Sequence, residues 1–219
     1  MTEPVIRLEA LGPVATITLN RPRARNAISS EVLGALVEVM AAADADGDIR
    51  AVVLTGADPA FCAGVDLKEA GRETSLLSGP RPGSHTPWPP ISKPVIAAVN
   101  GAAVMSFTGD FLTAAEALAA GLVSEVVPHD GLIGRAHEIA GAIAGNDDRA
   151  IRALLASYRQ VEAGLVGDGY DAEGQASSAW RHSGLDLAET SRRRAAITGR
   201  GRAQASGASL DSGPSVDMT

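Results

Sequence analysis

The sequence predicts an α/β fold, and the prediction depends on three successive segments near the amino terminus. Residues 4–20 alternate β-branched and apolar side chains on either side of Leu11-Gly12-Pro13, a pattern that favours two strands joined by a turn. Residues 29–45 repeat apolar side chains at helical spacing, and residues 49–55 form a short apolar run typical of a strand buried on both faces. Strand, helix and strand in this order indicate a crossover unit of an α/β fold.

The following segments extend this alternation. Ser29 or Ser30 can cap the first helix, because a serine hydroxyl accepts a hydrogen bond from a backbone N–H of the first turn. Residues 56–66 form a glycine-rich turn, and residues 73–92 carry several prolines and glycines, which predicts a loop. Residues 93–100 predict another buried strand.

The second half of the chain is predicted to be mainly helical. Thr113 and Glu116 have the spacing of a capping box for a helix over residues 113–120, and Gly121 is placed to end it. Residues 122–127 predict a short strand. Further helices of the chain are predicted over residues 67–72, 130–144, 147–164, 171–182 and 186–198. Residues 203–219 are rich in Ser, Gly and Asp, which predicts disorder.

Composition excludes several classes of protein. The 219 residues fit one domain or one domain with an appendage. A net charge of −7 and 3% aromatic residues argue against a nucleic-acid partner. Cys62 is the single cysteine, which excludes an internal disulfide and a cysteine-rich metal site. We find neither a membrane-spanning apolar run nor a signal peptide, and we therefore expect a cytoplasmic protein without a membrane partner.

Four separated segments carry the motifs of one family. They are LNRPRARNAIS (19–29), AFCAGVDLKE (60–69), KPVIAAVNGAA (93–103) and TGDFLTAAEALAAGLVSEVVP (108–128). Together they resemble the enoyl-CoA hydratase/isomerase family, also called the crotonase family. The resemblance implies a crotonase-like α/β spiral of strand–strand–helix units, truncated here, with a helical carboxyl-terminal oligomerisation region. We expect a shortened α/β core over residues 1–128, a helical region over 129–202 and a disordered tail over 203–219.

The resemblance also implies a substrate class and its partners. The ligand would be an acyl-CoA thioester of fatty acid metabolism, and coenzyme A would enter only as part of that substrate. No metal and no separate cofactor are implied. Hydratases of the family are lyases that add water across the double bond of 2-trans-enoyl-CoA with two Glu carboxylates. The chain is expected to form a homo-oligomer, a trimer or a hexamer by resemblance.

The glycine-rich turn carries the expected catalytic feature. A thioester oxygen gains negative charge as its α-carbon gains or loses a proton, and fixed N–H donors stabilise that charge. By the family pattern the Val65 backbone N–H is one such oxyanion donor, and Gly64 lets the backbone turn that N–H outward. Without the family context, a tight turn that only reverses the chain is an equally good interpretation. Asp66 is interpreted as a helix cap and Cys62 as a small buried hydrophobe.

Residues near the expected coenzyme A position follow from the same resemblance. Arg23 and Lys68 match basic positions of the family, and Ala63 matches a position beside the ligand. A guanidinium suits bidentate phosphate contacts, whereas the alternative interpretation of both basic residues is a solvated surface charge. Arg21 and Arg25 are weaker candidates for the phosphate contact. Asn26 is interpreted as a residue that stabilises a loop. The histidines form no catalytic or metal-binding constellation in the sequence; they are His85, His129, His137 and His182.

The chain departs from the family pattern directly after Val104. Val104 is followed by Met105, whereas family members reach the equivalent of Met105 only after further helices and strands. The second oxyanion donor and both catalytic Glu residues of the hydratases therefore have no counterpart. Of the nearby carboxylates, Glu69 is expected to be solvated, Glu116 belongs to the capping box, and Asp110 lies in a connecting loop. Strand 94–99 is expected to lose the helices that would cover it.

Three explanations of this departure stay open. Either the sequence omits a segment that the protein possesses, or the protein is an internal-deletion variant, or a second copy covers the exposed sheet. The corresponding functional hypotheses are an enoyl-CoA hydratase-like lyase, a catalytically inactive acyl-CoA-binding family member, and an oligomer component. Turnover and ligand binding distinguish them.

Overall fold

The computed structural model describes residues 3–66, 88, 90–101, 103–104 and 111–162, with single helical positions at 192, 195 and 199. The chain divides into two compact units. The first comprises residues 1–101 and 125–182, and the second comprises residues 102–124 and 183–219.

The first unit contains a four-stranded sheet. Its strands are β1 (Ile6–Leu11), β2 (Val14–Leu19), β3 (Ala51–Gly56) and β4 (Val95–Ala98), in the order β1-β2-β3-β4. β1 and β2 are antiparallel and are joined by a turn in which Gly12 has φ +56. β3 pairs in parallel with both β2 and β4. The predicted hairpin and crossover unit are therefore confirmed.

Helix α1 (Ser30–Ala45) makes the crossover between β2 and β3 and covers one face of the sheet. Its N-cap is Ser29, whose side chain accepts the Val32 N–H at 3.2 Å. Leu36 and Met40 pack in the same buried cluster as Ile17 of β2. The apolar stripe of the helix thus meets the face of β2 on which Ile17 lies.

A second helix covers the opposite face. α3 (Leu132–Ala144) follows a short 3-10 turn at His129–Gly131, and its Ala136 and Ala140 are buried with Val53 and Ala98 of the sheet. The expectation that strand 94–99 loses all its covering helices is therefore wrong, because α3 takes this position. The strand is also less buried than the sequence predicts, since Val95 is 37% exposed.

Further polar contacts attach β4 and the next helix to α1. The ammonium of Lys93, which is 1% exposed, donates to the backbone oxygens of Ala43 and Asp46 at the end of α1. Residues 148–162 form α4, which agrees with the helix predicted over 147–164. Arg152 of this helix binds Ser92 directly before Lys93.

The second unit is described in part. β5 (Ala103–Val104) and β6 (Phe111–Leu112) form an antiparallel pair, followed by α2 (Ala114–Ala119). The predicted capping box is confirmed, with Thr113 accepting the Glu116 N–H and Glu116 accepting the Thr113 N–H.

Residues 121–127 contain one confirmed prediction and one error. Gly121 ends the helix with φ +71 and donates its N–H to the Leu118 oxygen. The strand predicted over 122–127 is wrong, because these residues have no regular structure.

Several predicted elements lie outside the described residues. They are the helix at 67–72, most of the loop at 73–92, the helix at 171–182, most of the helix at 186–198 and the tail at 203–219. Within the described part of the chain, no helix is long and apolar enough to cross a membrane.

Candidate functional site

The site lies where two neighbouring parallel strands end. The loop of residues 57–66, here called the thioester loop, follows β3, and Asn100 and Gly101 follow β4. The Phe61 N–H donates to the Asn100 oxygen at 2.6 Å. Gly101 has φ +91, and a Cβ there would lie 3.3 Å from the Pro59 oxygen. The carboxyl edge of parallel strands is a common position for ligand sites.

A second segment holds the other end of the thioester loop. Ile28 forms an isolated parallel bridge with Val65: the Ile28 N–H donates to the Gly64 oxygen and the Asp66 N–H donates to the Ile28 oxygen, both at 2.8 Å. The Ala63 N–H donates to the Arg25 oxygen at 2.9 Å. Three backbone hydrogen bonds thus join residues 63–66 to the segment after β2.

This bridge determines the direction of the Val65 N–H. In a parallel bridge the central residue is flanked by the bonded groups and turns its own N–H to the opposite side. The peptide groups at Gly64 and Asp66 bond to Ile28, so the Val65 N–H points away from Ile28. Among the described residues this N–H has no acceptor, and Val65 is 38% exposed. Gly64 has φ +89, a conformation that favours glycine.

An outward N–H in this position can donate to a ligand. Val65 thus turns its N–H outward next to Gly64, and the oxyanion-donor role of Val65 stays a prediction. A fixed N–H stabilises negative charge on an acceptor oxygen because it does not have to reorganise as the charge develops.

The side chain of Asn26 holds the thioester loop through hydrogen bonds. Its side chain is 1% exposed, and its amide donates to the Ala57 and Ala60 oxygens at 2.7 and 2.5 Å. Its Oδ1 accepts the Arg21 N–H at 2.8 Å. The interpretation of Asn26 as a loop-stabilising residue therefore fits the structure.

Arg21 is a structural residue that the sequence did not reveal. Its guanidinium donates to Asp66 Oδ2 through both terminal nitrogens at 3.1 Å and to the Ala27 oxygen at 2.7 Å. This use removes Arg21 from the candidates for a phosphate contact. Asp66, interpreted from sequence as a helix cap, accepts from Arg21, while the helix predicted to follow it lies outside the described residues.

The predicted coenzyme A residues are only partly described. Arg23 is exposed in a 3-10 turn at Pro22–Ala24 and forms no ion pair with another described residue. Ala63 is exposed beside Val65 on the thioester loop, and its N–H bond to Arg25 brings it next to the segment that carries Arg23. Lys68 lies outside the described residues.

Cys62 fits its interpretation as a small apolar residue. It packs against the buried cluster under α1, and its sulfur accepts the Gly64 N–H at 3.4 Å. Burial raises the pKa of the Cys62 thiol, so the uncharged form predominates at neutral pH. In the described part of the chain, no three His, Cys, Asp or Glu side chains converge as a metal site would require.

Comparisons with known proteins agree on one family. The model of the enoyl-CoA hydratase/isomerase family matches residues 9–106. The enoyl-CoA hydratase EchA19 of Mycobacterium tuberculosis is 30% identical over 222 residues, covering 71% of this chain and 80% of the relative. The chain belongs to the enoyl-CoA hydratase/isomerase family.

Solved structures confirm the crotonase fold. A crystal structure of an enoyl-CoA hydratase from M. tuberculosis H37Rv has 36% identity and a TM-score of 0.74, covering 81% of this chain and 99% of that one. An enoyl-CoA hydratase/isomerase from Xanthobacter autotrophicus Py2 has 26% identity and a TM-score of 0.77, covering 91% and 98%. The α/β class predicted from sequence is thereby confirmed.

One polar cluster of this family member was missed. Asp58 accepts from the Asn100 amide at 2.9 Å through Oδ1 and lies 3.1 Å from His129 Nε2 through Oδ2. The Asn100 hydrogen bond, with His129, holds the pKa of Asp58 below its usual value. Asn100 Oδ1 is buried and has no hydrogen-bond partner among the described residues. Because Asp58 and His129 are 71 residues apart, only the fold brings them together.

Proposed function

We propose that the chain binds the thioester of a 2-enoyl-CoA at the thioester loop, with the thioester oxygen accepting the Val65 N–H. The orientation of this N–H carries the proposal, because the Ile28 bridge turns it outward and no described acceptor takes it. The named relatives support the ligand class, since EchA19 is an enoyl-CoA hydratase. The donor would stabilise the negative charge that develops on the oxygen in the enolate.

The coenzyme A part of the ligand is assigned to Arg23, Ala63 and Lys68. The exposed Arg23 guanidinium is available for a phosphate, and Ala63 is exposed beside Val65. Arg23→Ala is expected to weaken binding of coenzyme A esters measured by calorimetry, because a charge-assisted contact is lost. Unchanged affinity would contradict the phosphate role. No further cofactor is proposed, since enolate stabilisation and proton transfer need none.

We further propose that a segment of the family fold is missing after Val104. The similarity to EchA19 runs over 222 residues, yet 71% of 219 residues is about 155, so about 67 aligned positions have no residue here. The family-model match ends at residue 106, close to this junction. The mass of the purified protein tests the proposal: 22.3 kDa is expected, and a clearly larger value would show that the sequence omits residues.

The missing segment defines the expected activity. Loss of one oxyanion donor lowers the rate by about 100- to 1000-fold. Loss of a general acid or base lowers it further by about 100- to 10,000-fold. We therefore propose a hydratase-like chain that binds its ligand and hydrates it slowly or not at all. A hydratase lyase of ordinary rate is the alternative, and it requires the segment after Val104 to be present.

A backbone substitution tests the binding proposal. Val65→Pro removes the N–H, and it breaks no described hydrogen bond because Val65 donates none to the residues that the structure describes. Crotonyl-CoA affinity should fall in Val65→Pro while affinity for coenzyme A alone, which has no thioester oxygen, stays unchanged. Val65→Ala is the matched control, because it shortens the side chain and retains the N–H. Equal crotonyl-CoA affinity in all three proteins would refute the role of Val65.

The expected homo-oligomer stays a proposal with one supporting surface. Leu154, Tyr158 and Val161 of α4 are 47%, 63% and 58% exposed and recur at the spacing of one helix face. A second copy of the chain, in a trimer or hexamer, would bury this stripe. Light scattering after size exclusion should give a multiple of 22.3 kDa, and Tyr158→Glu should lower it. A monomeric wild-type protein would refute the proposal.

We also propose that this function operates in the cytoplasm as part of fatty acid metabolism. The basis is the ligand class of the named relatives, which include an enoyl-CoA hydratase. Fractionation of cells that produce the chain should recover it with cytoplasmic markers, and recovery with another compartment would contradict the proposal.

A further inference from the structure

One guanidinium joins the two segments whose bridge orients the Val65 N–H. The Arg21 side chain donates to the Ala27 oxygen, directly before Ile28, and to the Asp66 carboxylate, directly after Val65. The guanidinium therefore contacts each of the two segments at the residue adjacent to the bridging one. The sequence motifs do not suggest this pairing, because Arg21 and Asp66 are 45 positions apart.

Among the described residues, the pairing of Val65 with Ile28 is short. It is an isolated bridge with two hydrogen bonds, and one further backbone bond joins Ala63 to Arg25. Such a short pairing depends on side-chain contacts to keep its register. The Arg21 and Asp66 side chains are 24% and 11% exposed, so their ion pair is screened less than a pair on the open surface. The planar guanidinium also fixes direction, since it donates two hydrogen bonds to one carboxylate oxygen.

We infer that Arg21 is a positioning residue for the oxyanion donor. Its ion pair with Asp66 fixes the peptide groups on either side of Val65 and thereby the angle at which the Val65 N–H meets a ligand oxygen. The inference rests on the proposed binding of a thioester at Val65. Arg21 itself does not contact the ligand in this account, because its described hydrogen bonds go to Ala27 and Asp66.

Infrared spectroscopy of a bound thioester separates positioning from simple stability. The probe is butyryl-CoA carrying ¹³C at the carbonyl, which lacks a double bond and cannot be hydrated. A hydrogen bond from the Val65 N–H lowers the carbonyl stretching frequency relative to the ligand in buffer. A residue that only stabilises the fold would leave this frequency unchanged in the folded protein.

The compared proteins are wild type, Arg21→Met, Asp66→Asn and the control Arg7→Met. Arg7 is an exposed arginine of β1, so the control removes the same charge away from the loop. Arg21→Met retains most of the side-chain stem, and Asp66→Asn removes only the charge. Circular dichroism verifies folding, and Arg21→Lys replaces Arg21→Met if that variant does not fold.

The expected result is a lowered frequency in wild type and Arg7→Met. Arg21→Met and Asp66→Asn should lose most of this displacement, which is the difference in carbonyl stretching frequency between bound and free ligand. Their affinity for coenzyme A alone should be unchanged. Wild-type displacement in all four proteins would overturn the positioning role while leaving the proposed function intact. A wild-type protein that binds butyryl-CoA without any displacement would instead refute the role of Val65.

Discussion

Replacing Asn26 by alanine should strongly destabilise the protein. The side chain is 1% exposed and makes three hydrogen bonds to backbone groups of Arg21, Ala57 and Ala60. A typical hydrogen bond contributes about 1 kcal/mol, and a buried group left without a partner costs about 1–3 kcal/mol. We therefore expect Asn26→Ala to lower the free energy of unfolding by about 3 kcal/mol.

Urea unfolding followed by circular dichroism measures this loss. With a slope of about 2 kcal/mol per molar urea, the midpoint should fall by about 1.5 M. The matched control is Asn20→Ala, because Asn20 makes one exposed side-chain hydrogen bond, to the Pro4 oxygen at 2.8 Å. This control should lose about 0.5–1 kcal/mol. Equal losses in the two variants would refute the argument that Asn26 holds the thioester loop.

Three further predictions concern stability and reactivity. Leu36→Ala should lower the free energy of unfolding in urea by about 2–5 kcal/mol, because Leu36 is 2% exposed. Leu11→Ala should lower it far less, because Leu11 is 70% exposed. Similar losses in the two variants would contradict the assigned core. The hydrogen bond from Asn100, with His129, keeps the pKa of Asp58 low, so its stabilisation is present above about pH 4 and lost as the pH falls through the folded-state value. Asp58→Asn should therefore flatten the fall in melting temperature below about pH 4, and an unchanged profile would count against the cluster. Cys62 should react with iodoacetamide more slowly at pH 7 than a small peptide thiol, because burial raises its pKa; a faster reaction would disagree with that environment.

Local sequence signals predicted the elements that depend on neighbouring residues. Ser29 caps α1, and Thr113 with Glu116 caps α2, because each bond joins residues three apart. The turn between β1 and β2 follows from Gly12 in the same way. The motif of residues 60–69 likewise predicted a backbone turn at Gly64, which has φ +89, whereas the donor role of Val65 stays a prediction.

Contacts between distant residues were not predictable from the sequence. Lys93 reads as the polar start of a strand, but the fold buries its ammonium against the end of α1, 47–50 positions away. From sequence, Arg21 is a weak candidate for a phosphate contact, and only the fold places Asp66 beside it. The helix over residues 130–144 was predicted, but its position against β4 was not, because only packing shows that α3 covers that face. These features depend on tertiary pairing, for which a single sequence carries no local signal.

The measurement that tests the account most directly is a titration of the purified chain with crotonyl-CoA, followed by calorimetry and by enoyl absorbance. We predict saturable binding of crotonyl-CoA. The enoyl absorbance should then persist for far longer than it would with an ordinary hydratase. Rapid loss of absorbance would contradict the proposed loss of the catalytic segment after Val104. No binding heat for crotonyl-CoA or coenzyme A would contradict the proposed thioester site at Val65.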